Sequence, residues 1–383
     1  MSETLVGLSK EFAFPNPPAR FASDHVKRLL VYLSSIGASD VKFQTGNCVI
    51  AKVNGLVHRL TTRPLPPPEV EDILTTLYGA NGPGRIKSGS EINIAYELHP
   101  TRNERYRFRV NAVGGTLMGA NAIEITIRTI ALAPPTMDQV GLEPELRAGL
   151  FPKDGIVIMA GATGSGKSTT LSTLIRAMLE QVDGNRFIMT FEAPIEYVYD
   201  TVATPSSTIF QTEIGPDANL PTFDAGVRSA MRRAPDVILN GEMRDLETVE
   251  ATLAAAQSGH AVYTTVHAHS VVDTFRRIVN FFPYQIHGSV MNGLISSVRA
   301  VCWQSLVRTP DGKRVAIREY LVFSREIREE LMAVASQNMD AALVHMGSLV
   351  EKHGQTVQAC AQRLYTVGRI DEATLRTLAP AAK

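Results

Sequence analysis

The stretch of residues 161–168 has the residue types and spacing of a phosphate-binding loop, because Gly-Ala-Thr-Gly-Ser-Gly-Lys-Ser fits the pattern G-x-x-x-x-G-K-[ST]. Its glycines allow the backbone to approach phosphate oxygens closely, and Lys167 can reach the β- and γ-phosphates of a nucleotide. The hydroxyl group of Ser168 can join the coordination shell of Mg²⁺. The stretch therefore predicts a site for ATP or GTP with Mg²⁺, and a chance glycine-rich turn is the alternative. The residues predicted to bind the nucleotide are Gly161, Ala162, Thr163, Gly164, Ser165, Gly166, Lys167, Ser168 and Thr169.

A carboxylate, Glu242, follows the apolar run at residues 237–239 after Asn240 and Gly241. We expect this run to be a strand beside the strand that carries the loop, so that Glu242 lies near the γ-phosphate. There it would orient or deprotonate the attacking water and would help to hold Mg²⁺ through water. The alternative is a surface glutamate paired with Arg244 or Arg232.

Glu192 and His267 stand at the ends of two further apolar runs, 186–191 and 261–266. Glu192 is a candidate for positioning water or metal, although its segment by itself fits a structural role equally well. A histidine at the carboxyl end of a parallel strand lies at the ligand-binding edge of the sheet. His267 can therefore donate a hydrogen bond to the γ-phosphate, and the alternative is a structural histidine.

Positioning these residues requires a sheet whose strands end at one edge. Short apolar runs at 155–160, 186–191, 236–240 and 261–266 alternate with helical patterns, of which 246–256 is one. Alternation of this kind predicts an α/β domain with a parallel central sheet and helices on its faces. We assign this domain to residues 138–383, with a helical region from about residue 324.

The first part of the chain predicts a separate and smaller domain. A proline-containing extended arm is expected at residues 1–20, because proline cannot continue a helix. Residues 21–130 alternate helical and strand patterns in the manner of an α+β domain. Residues 131–137, which contain Pro134 and Pro135, are the predicted linker.

Arginines on the predicted strands of the first domain are a further candidate for chemistry. Alternation places Arg107 and Arg109 on one face of a strand, with Phe108 on the other. Two adjacent arginines repel each other unless an anion lies near them. Glu104 or another carboxylate is one candidate for that anion, and a phosphate is the other.

Composition limits the possible functions. The 383 residues contain 38 basic and 38 acidic side chains, so the balance of charge does not indicate a nucleic-acid partner. Three widely spaced cysteines make neither a disulfide framework nor a zinc-binding motif. The first residues lack the apolar core of a signal peptide, and no apolar run approaches 18 residues. We expect a cytosolic protein, or one that is peripheral on the cytosolic side of a membrane.

In order and spacing, the segments that carry these residues resemble the secretion ATPase superfamily of PilT/GspE-like proteins. They match its Walker A loop, Asp box, Walker B and His box at residues 161–168, 191–196, 236–245 and 259–267. Residues 37–40 and 107–111 resemble two motifs of its first domain. Three more segments are similar to one branch, the type IVB secretion ATPases (DotB-like) and their conjugative-plasmid relatives (TraJ-like): residues 240–242, 303–304 and 318–323.

The resemblance implies a homo-hexameric ATPase, with a PAS-like domain before a RecA-like P-loop ATPase domain and with ATP and Mg²⁺ as cofactors. Hydrolysis of ATP bound between the domains would move them and drive a type IVB secretion or conjugative transfer machine, with inner-membrane complex proteins as partners. Ala193 replaces the second acid of the Asp box, so Glu192 and Glu242 would carry the chemistry with His267. Residues implied as arginine fingers are Arg107, Arg109 and Arg128.

Two other functions are compatible with a phosphate-binding loop. A RecA-like nucleic-acid helicase or translocase would need a basic channel that bears aromatic residues. The neutral charge and the single tryptophan of this chain give no sign of such a channel, so no direct nucleic-acid partner is expected. A nucleotide-binding scaffold without hydrolysis is the other possibility, and the positions of Glu242 and Glu192 argue against it.

Overall fold

A computed structural model of the chain describes residues 11–53, 55–102, 104–216 and 218–378. The chain divides into two compact units, Met1–Leu132 and Ala133–Lys383. The first ten residues of the predicted arm and residues 379–383 of the predicted helical region lie outside the described residues.

The first unit contains an antiparallel sheet of six strands in the order β3-β2-β1-β6-β5-β4. Leucine and valine at helical spacing give α1 one apolar face, and Val26, Leu29 and Leu33 of that face are buried. The strands are β1 Ala38–Gln44, β2 Ile50–Val53, β3 Leu56–Arg59, β4 Ile92–Leu98, β5 Tyr106–Leu117 and β6 Ala120–Ile130. The helices are α1 Ser23–Ser35, α2 Pro67–Tyr78 and α3 Gly82–Lys87.

The second unit contains a sheet of seven strands in the order β13-β12-β7-β11-β10-β8-β9. All neighbouring pairs are parallel except β12 and β13, which form an antiparallel ribbon. The strands are β7 Gly155–Ala160, β8 Phe187–Glu192, β9 Thr208–Glu213, β10 Val237–Asn240, β11 Ala261–Val266, β12 Val298–Arg308 and β13 Arg314–Val322. The helices before the ribbon are α4 Pro144–Gly149, α5 Lys167–Glu180, α6 Phe223–Ala230, α7 Leu246–Gln257, α8 Val271–Val279 and α9 His287–Ser297. The helices after it are α10 Arg325–Ala335, α11 Met339–His353, α12 Val357–Thr366 and α13 Glu372–Leu378.

Burial explains why the middle of this sheet is apolar. Every residue of β7 and of β11 is buried, as expected for parallel strands that are covered on both faces. The helix α5 packs with its apolar face, including Leu171, Leu174 and Met178, in the same core. The second unit is a RecA-like α/β domain with a largely parallel sheet, and the first is a smaller α+β domain of the PAS-like kind. This fold class was predicted from the sequence.

The order of the strands differs from one expectation. The strand that leads to Glu242, β10, was expected beside β7, but β11 lies between them. Val262 of β11 pairs with Ile156 of β7 on one side and with Ile238 of β10 on the other. Because all three strands are buried and predominantly apolar, the sequence pattern does not distinguish which of them are neighbours. The expected adjacency was therefore wrong.

In the parts of the chain that the structure describes, no helix combines the length and the apolar character needed to cross a membrane.

Candidate functional site

The glycine-rich loop connects β7 to α5 and packs directly against β12. Gly161, Gly164 and Gly166 have φ angles of +142°, +77° and +85°, which other residues rarely adopt. A Cβ atom at Gly161 would lie 2.3 Å from the carbonyl oxygen of Gln304, so only glycine permits this approach. Gly166 is the residue immediately before α5. The unpaired N–H groups at the start of α5 are therefore presented at the loop, where they can bind an anion.

Lys167 is the first residue of α5, and its side chain is folded across the loop. The residue is only 7% exposed, and its Nζ donates to the carbonyl oxygens of Gly161 at 2.8 Å and Ala162 at 2.9 Å. Burial lowers the pKa of the ammonium group, and the nearby carboxylates of Glu242 and Glu196 oppose this effect. The positive charge of Lys167 is therefore hydrogen-bonded to neutral carbonyl groups. This arrangement favours the binding of a phosphate.

The remaining residues of the loop fit a polyphosphate. The hydroxyl of Ser165 is buried and has no hydrogen-bond partner among the residues described. Such an orphaned donor is costly unless a ligand or water satisfies it. Ala162, Thr163 and Gly164 are exposed at the tip of the loop. The structure brings the nine predicted nucleotide-binding residues together at this one loop and the first turn of α5.

The donor set also fits Mg²⁺ bound in the manner of P-loop proteins. The described ranges contain no group of three or more His, Cys, Asp or Glu side chains placed to hold a metal ion. Mg²⁺ in such sites is held by one or two protein oxygens together with water and phosphate oxygens. Ser168, half-buried in the first turn of α5, is an oxygen ligand of this kind.

Glu242 lies in a turn just after β10. The turn is tied to β8 by the N–H of Gly241, which donates to the carbonyl oxygen of Phe191 at 2.8 Å. Glu242 Oε1 lies 3.4 Å from Nε2 of His267, and about one third of each side chain is exposed. Arg244, the alternative partner considered for Glu242, pairs instead with Asp245 at 3.5 Å. The structure therefore brings together two predicted residues, Glu242 and His267, at the carboxyl edge of the sheet.

Glu192 is the last residue of β8 and is in a different environment from Glu242. It is 8% exposed, and its Oε1 accepts hydrogen bonds from Thr190 Oγ1 at 2.7 Å and from Gln211 Nε2 at 3.1 Å. Burial raises its pKa from the ordinary value of 4.5 to about 7, and the hydrogen bonds only partly oppose this rise. Because burial favours the neutral form of Glu192, the partly exposed Glu242 is the better placed of the two carboxyl groups.

Two buried polar residues that were not predicted as part of the site, Gln304 and Arg318, support the loop. Gln304 bonds to the loop directly, and Arg318 bonds to Gln304. Gln304 of β12 donates from Nε2 to the carbonyl oxygen of Ser165 at 2.7 Å. Its Oε1 accepts from Thr170 Oγ1 at 3.1 Å and from Nε of Arg318 at 2.8 Å. Arg318 of β13 is 1% exposed and pairs with Glu143 at 3.0 Å. In the sequence, the glutamine and the arginine each interrupt a largely apolar strand. Such an interruption indicates a buried polar side chain, which needs hydrogen-bond partners.

A cavity of about 560 Å³ lies beside the loop and was also not predicted. Gly166 and Thr169 line one side of it. Asp138, Arg314 and Arg369 are among the residues that line the remainder. A volume of this size is typical of small-ligand sites and suits the nucleoside part of a nucleotide whose phosphates occupy the loop.

The arginines of the first unit have partners within that unit. Phe108 packs in the core, while Arg107 and Arg109 lie on the opposite face of β5. Nε of Arg107 lies 3.5 Å from Oε2 of Glu97, and Nε of Arg109 donates to the side-chain oxygen of Asn93 at 3.1 Å. On β6, Nε of Arg128 donates to Oδ1 of Asp40 at 2.9 Å. These contacts leave their predicted role at the nucleotide as a hypothesis.

Comparisons with known proteins agree with this site. The family described as "Type II/IV secretion system protein" matches residues 89–372. The crystal structure of the ATPase DotB of Legionella pneumophila is 39% identical, with a TM-score of 0.85 over 96% of this chain and 98% of that chain. The pilus retraction motor PilT, solved with bound ADP, is 27% identical with a TM-score of 0.78 over 93% of this chain and 97% of that chain.

The similarity to one relative covers nearly the full length of both proteins. The type IV pilus retraction ATPase PilT of Pseudomonas aeruginosa is 32% identical over 354 residues, which are 92% of this chain and 97% of that protein. The family match covers the loop, Glu192, Glu242 and His267 together. The chain therefore belongs to the type II/IV secretion system protein family and is a P-loop ATPase.

Proposed function

We propose that this chain is a hexameric motor that hydrolyses ATP to power a type IVB secretion or conjugative transfer machine. The observation that carries the proposal is the placement of the phosphate-binding loop and the Glu242–His267 pair at one edge of the RecA-like sheet. The similarity to DotB over 96% of the chain supports the choice of machine. Substrate, cofactor and partners follow from this choice: ATP, Mg²⁺, further copies of the chain and proteins of an inner-membrane complex.

The contacts of the loop support proposed roles for Lys167, Ser168 and the start of α5. Lys167 would exchange the carbonyl oxygens of Gly161 and Ala162 for the β- and γ-phosphate oxygens, which are stronger partners because they are charged. The N–H groups at the start of α5 would bind the same phosphates. Ser168 would be a ligand of Mg²⁺, which when bound neutralises charge on the phosphates.

Glu242 would act on the attacking water. Its carboxylate, which is partly exposed, would accept a proton from water and would help to hold Mg²⁺ through a second water. His267, at 3.4 Å, would hold the Glu242 carboxylate and respond to the γ-phosphate by a hydrogen bond. Glu192 would support the site as a buried carboxyl whose protonation changes near neutral pH.

Arg107, Arg109 and Arg128 are proposed to stabilise charge on the γ-phosphate as it leaves. To do so, each must exchange a partner of its own unit, such as Glu97 or Asp40, for phosphate. Such an exchange is suited to a step that follows binding, so these arginines would affect turnover more than affinity. The motor would work at the cytosolic face of the inner membrane, where the membrane complex can receive the movement.

The decisive test compares Glu242→Gln with Glu250→Gln, which changes an exposed glutamate of α7. Glu242→Gln should bind ATP normally while its kcat falls by about 10²-fold or more, and Glu250→Gln should match the wild type. A wild-type rate in Glu242→Gln would contradict the role of Glu242 and make Glu192 the better candidate base.

Light scattering with and without a slowly hydrolysed ATP analogue tests the hexamer directly. We expect a particle of six chains in at least the nucleotide-bound sample, and a monomer in both samples would contradict the assembly. Turnover should not respond to added DNA or RNA. Stimulation by either would support a nucleic-acid translocase instead.

A further inference from the structure

Thr265, the fifth residue of β11, is in contact with the turn that carries Glu242. We propose that Thr265 is the positioning residue that fixes the Glu242 carboxylate for its action on water. This inference rests on the proposed role of Glu242 and adds a second residue to the same chemistry.

Thr265 makes hydrogen bonds on both sides of Glu242. Its hydroxyl donates to the carbonyl oxygen of Gly241 at 2.7 Å, and its own carbonyl oxygen accepts from the N–H of Met243 at 2.9 Å. One buried residue thus holds the peptide groups before and after the glutamate. Two such bonds on one short turn restrict where the intervening side chain can point.

The position of Thr265 explains why its hydrogen bond to Gly241 comes from a side chain and not from the backbone. The parallel pairing of β10 with β11 ends at Asn240 and Thr264, so regular pairing of the two strands does not extend to Gly241. The hydroxyl of Thr265 supplies the next bond in place of a backbone N–H. A β-branched side chain is stiff about χ1, and this stiffness makes the hydroxyl a fixed donor.

The other side of the turn is equally constrained. Gly241 donates to Phe191 of β8, and a Cβ atom at Gly241 would lie 3.0 Å from the same Phe191 oxygen. The turn is therefore clamped between β8 and β11. His267 follows Thr265 by two residues, so the residue that holds the Glu242 turn also leads into the histidine that contacts Glu242.

The neighbouring Thr264 supplies a matched control. It is fully buried in the same strand, and its hydroxyl has no hydrogen-bond partner within the described part of the chain. Removing that hydroxyl tests the effect of a Thr→Val change in β11 without breaking a bond to the Glu242 turn.

The experiment measures kcat and ATP affinity for Thr265→Val, Thr265→Ser and Thr264→Val. We expect Thr265→Val to lower kcat about tenfold and to change affinity by less than about twofold, because the hydrogen bond that it removes goes to the Glu242 turn and not to the phosphate-binding loop. Thr265→Ser restores the donor and should recover most of the loss. Thr264→Val should match the wild type. Thr265→Ala is a second variant without the hydroxyl. Normal ATP affinity of Thr265→Val or of Thr265→Ala shows that the variant is folded.

A double mutant shows whether Thr265 acts through Glu242. In single-turnover measurements, adding Thr265→Val to Glu242→Gln should have little further effect, because the carboxylate to be positioned is gone. An undiminished tenfold loss in that background would overturn the inference, as would wild-type kcat in both Thr265→Val and Thr265→Ala. If Glu242→Gln itself keeps the wild-type rate, the proposed role of Glu242 fails, and the positioning role fails with it.

Discussion

The buried carboxyl of Glu192 makes the stability of the second unit depend on pH in a predictable direction. Burial raises its pKa from 4.5 to about 7 in the folded protein, so the folded state binds this proton more tightly than the unfolded state does. The resulting stabilisation is fully present below pH 4.5 and is lost as pH rises through 7. The total loss is about 3 kcal/mol, of which about 2 kcal/mol falls between pH 5.5 and pH 8.5.

Glu192→Gln removes this titration while it keeps an oxygen that can accept from Thr190 and Gln211. The difference between the unfolding free energies of wild type and variant should therefore change by about 2 kcal/mol across that range, in favour of the variant at high pH. Trp303 is the one tryptophan of the chain and lies in β12 of the same unit, so its fluorescence in urea follows the relevant transition. Glu250→Gln is the control and should follow the wild type at each pH. A difference between Glu192→Gln and wild type that stays constant from pH 5.5 to pH 8.5 would refute the reasoning.

Three further predictions concern the loop and the arginines. Lys167→Ala should weaken ATP binding by about 10²-fold or more in a fluorescence titration, because it removes charge-assisted bonds in a sheltered site, and unchanged affinity would contradict its role. Gln304→Leu leaves three buried partners unsatisfied and should lower stability by at least about 3 kcal/mol in urea unfolding, whereas Gln362→Leu, on the surface of α12, should have little effect. Arg107→Ala and Arg109→Ala should each bind ATP almost normally, assemble, and hydrolyse it at least about tenfold more slowly. Full turnover in both would return the search for an arginine finger to Arg128.

The central strands could be predicted closely because burial on both faces makes them predominantly apolar. The expected runs at 155–160 and 261–266 coincide with β7 and β11. Two strands of the second unit that are less completely buried, β9 and β12, were missed. In β9 the exposed Phe210 alternates with half-buried residues at the edge of the sheet, and β12 contains Arg299 and Gln304. Their polar or exposed side chains weaken the pattern on which strand prediction depends.

The candidate site likewise has a part that could be predicted from the sequence and a part that could not. Its loop could be predicted because the chemistry requires adjacent residues in one short segment, and glycine at fixed positions is recognisable in sequence. Gln304 and Arg318 contribute through partners such as Ser165 and Glu143, which lie more than a hundred residues away along the chain. Contacts of that kind depend on the order of the strands, which the local pattern does not contain.

The insertion of β11 between β7 and β10 sets how far the strand before the phosphate-binding loop lies from the strand before Glu242. Neighbouring strands lie about 5 Å apart, so the strand that carries the loop and the strand that leads to Glu242 are separated by about 10 Å. The intervening strand also leads into His267, whose Nε2 lies 3.4 Å from Oε1 of Glu242. With Glu242 in its proposed role, its side chain must span part of the separation between β7 and β10, so the shorter side chain of Glu242→Asp should lower kcat.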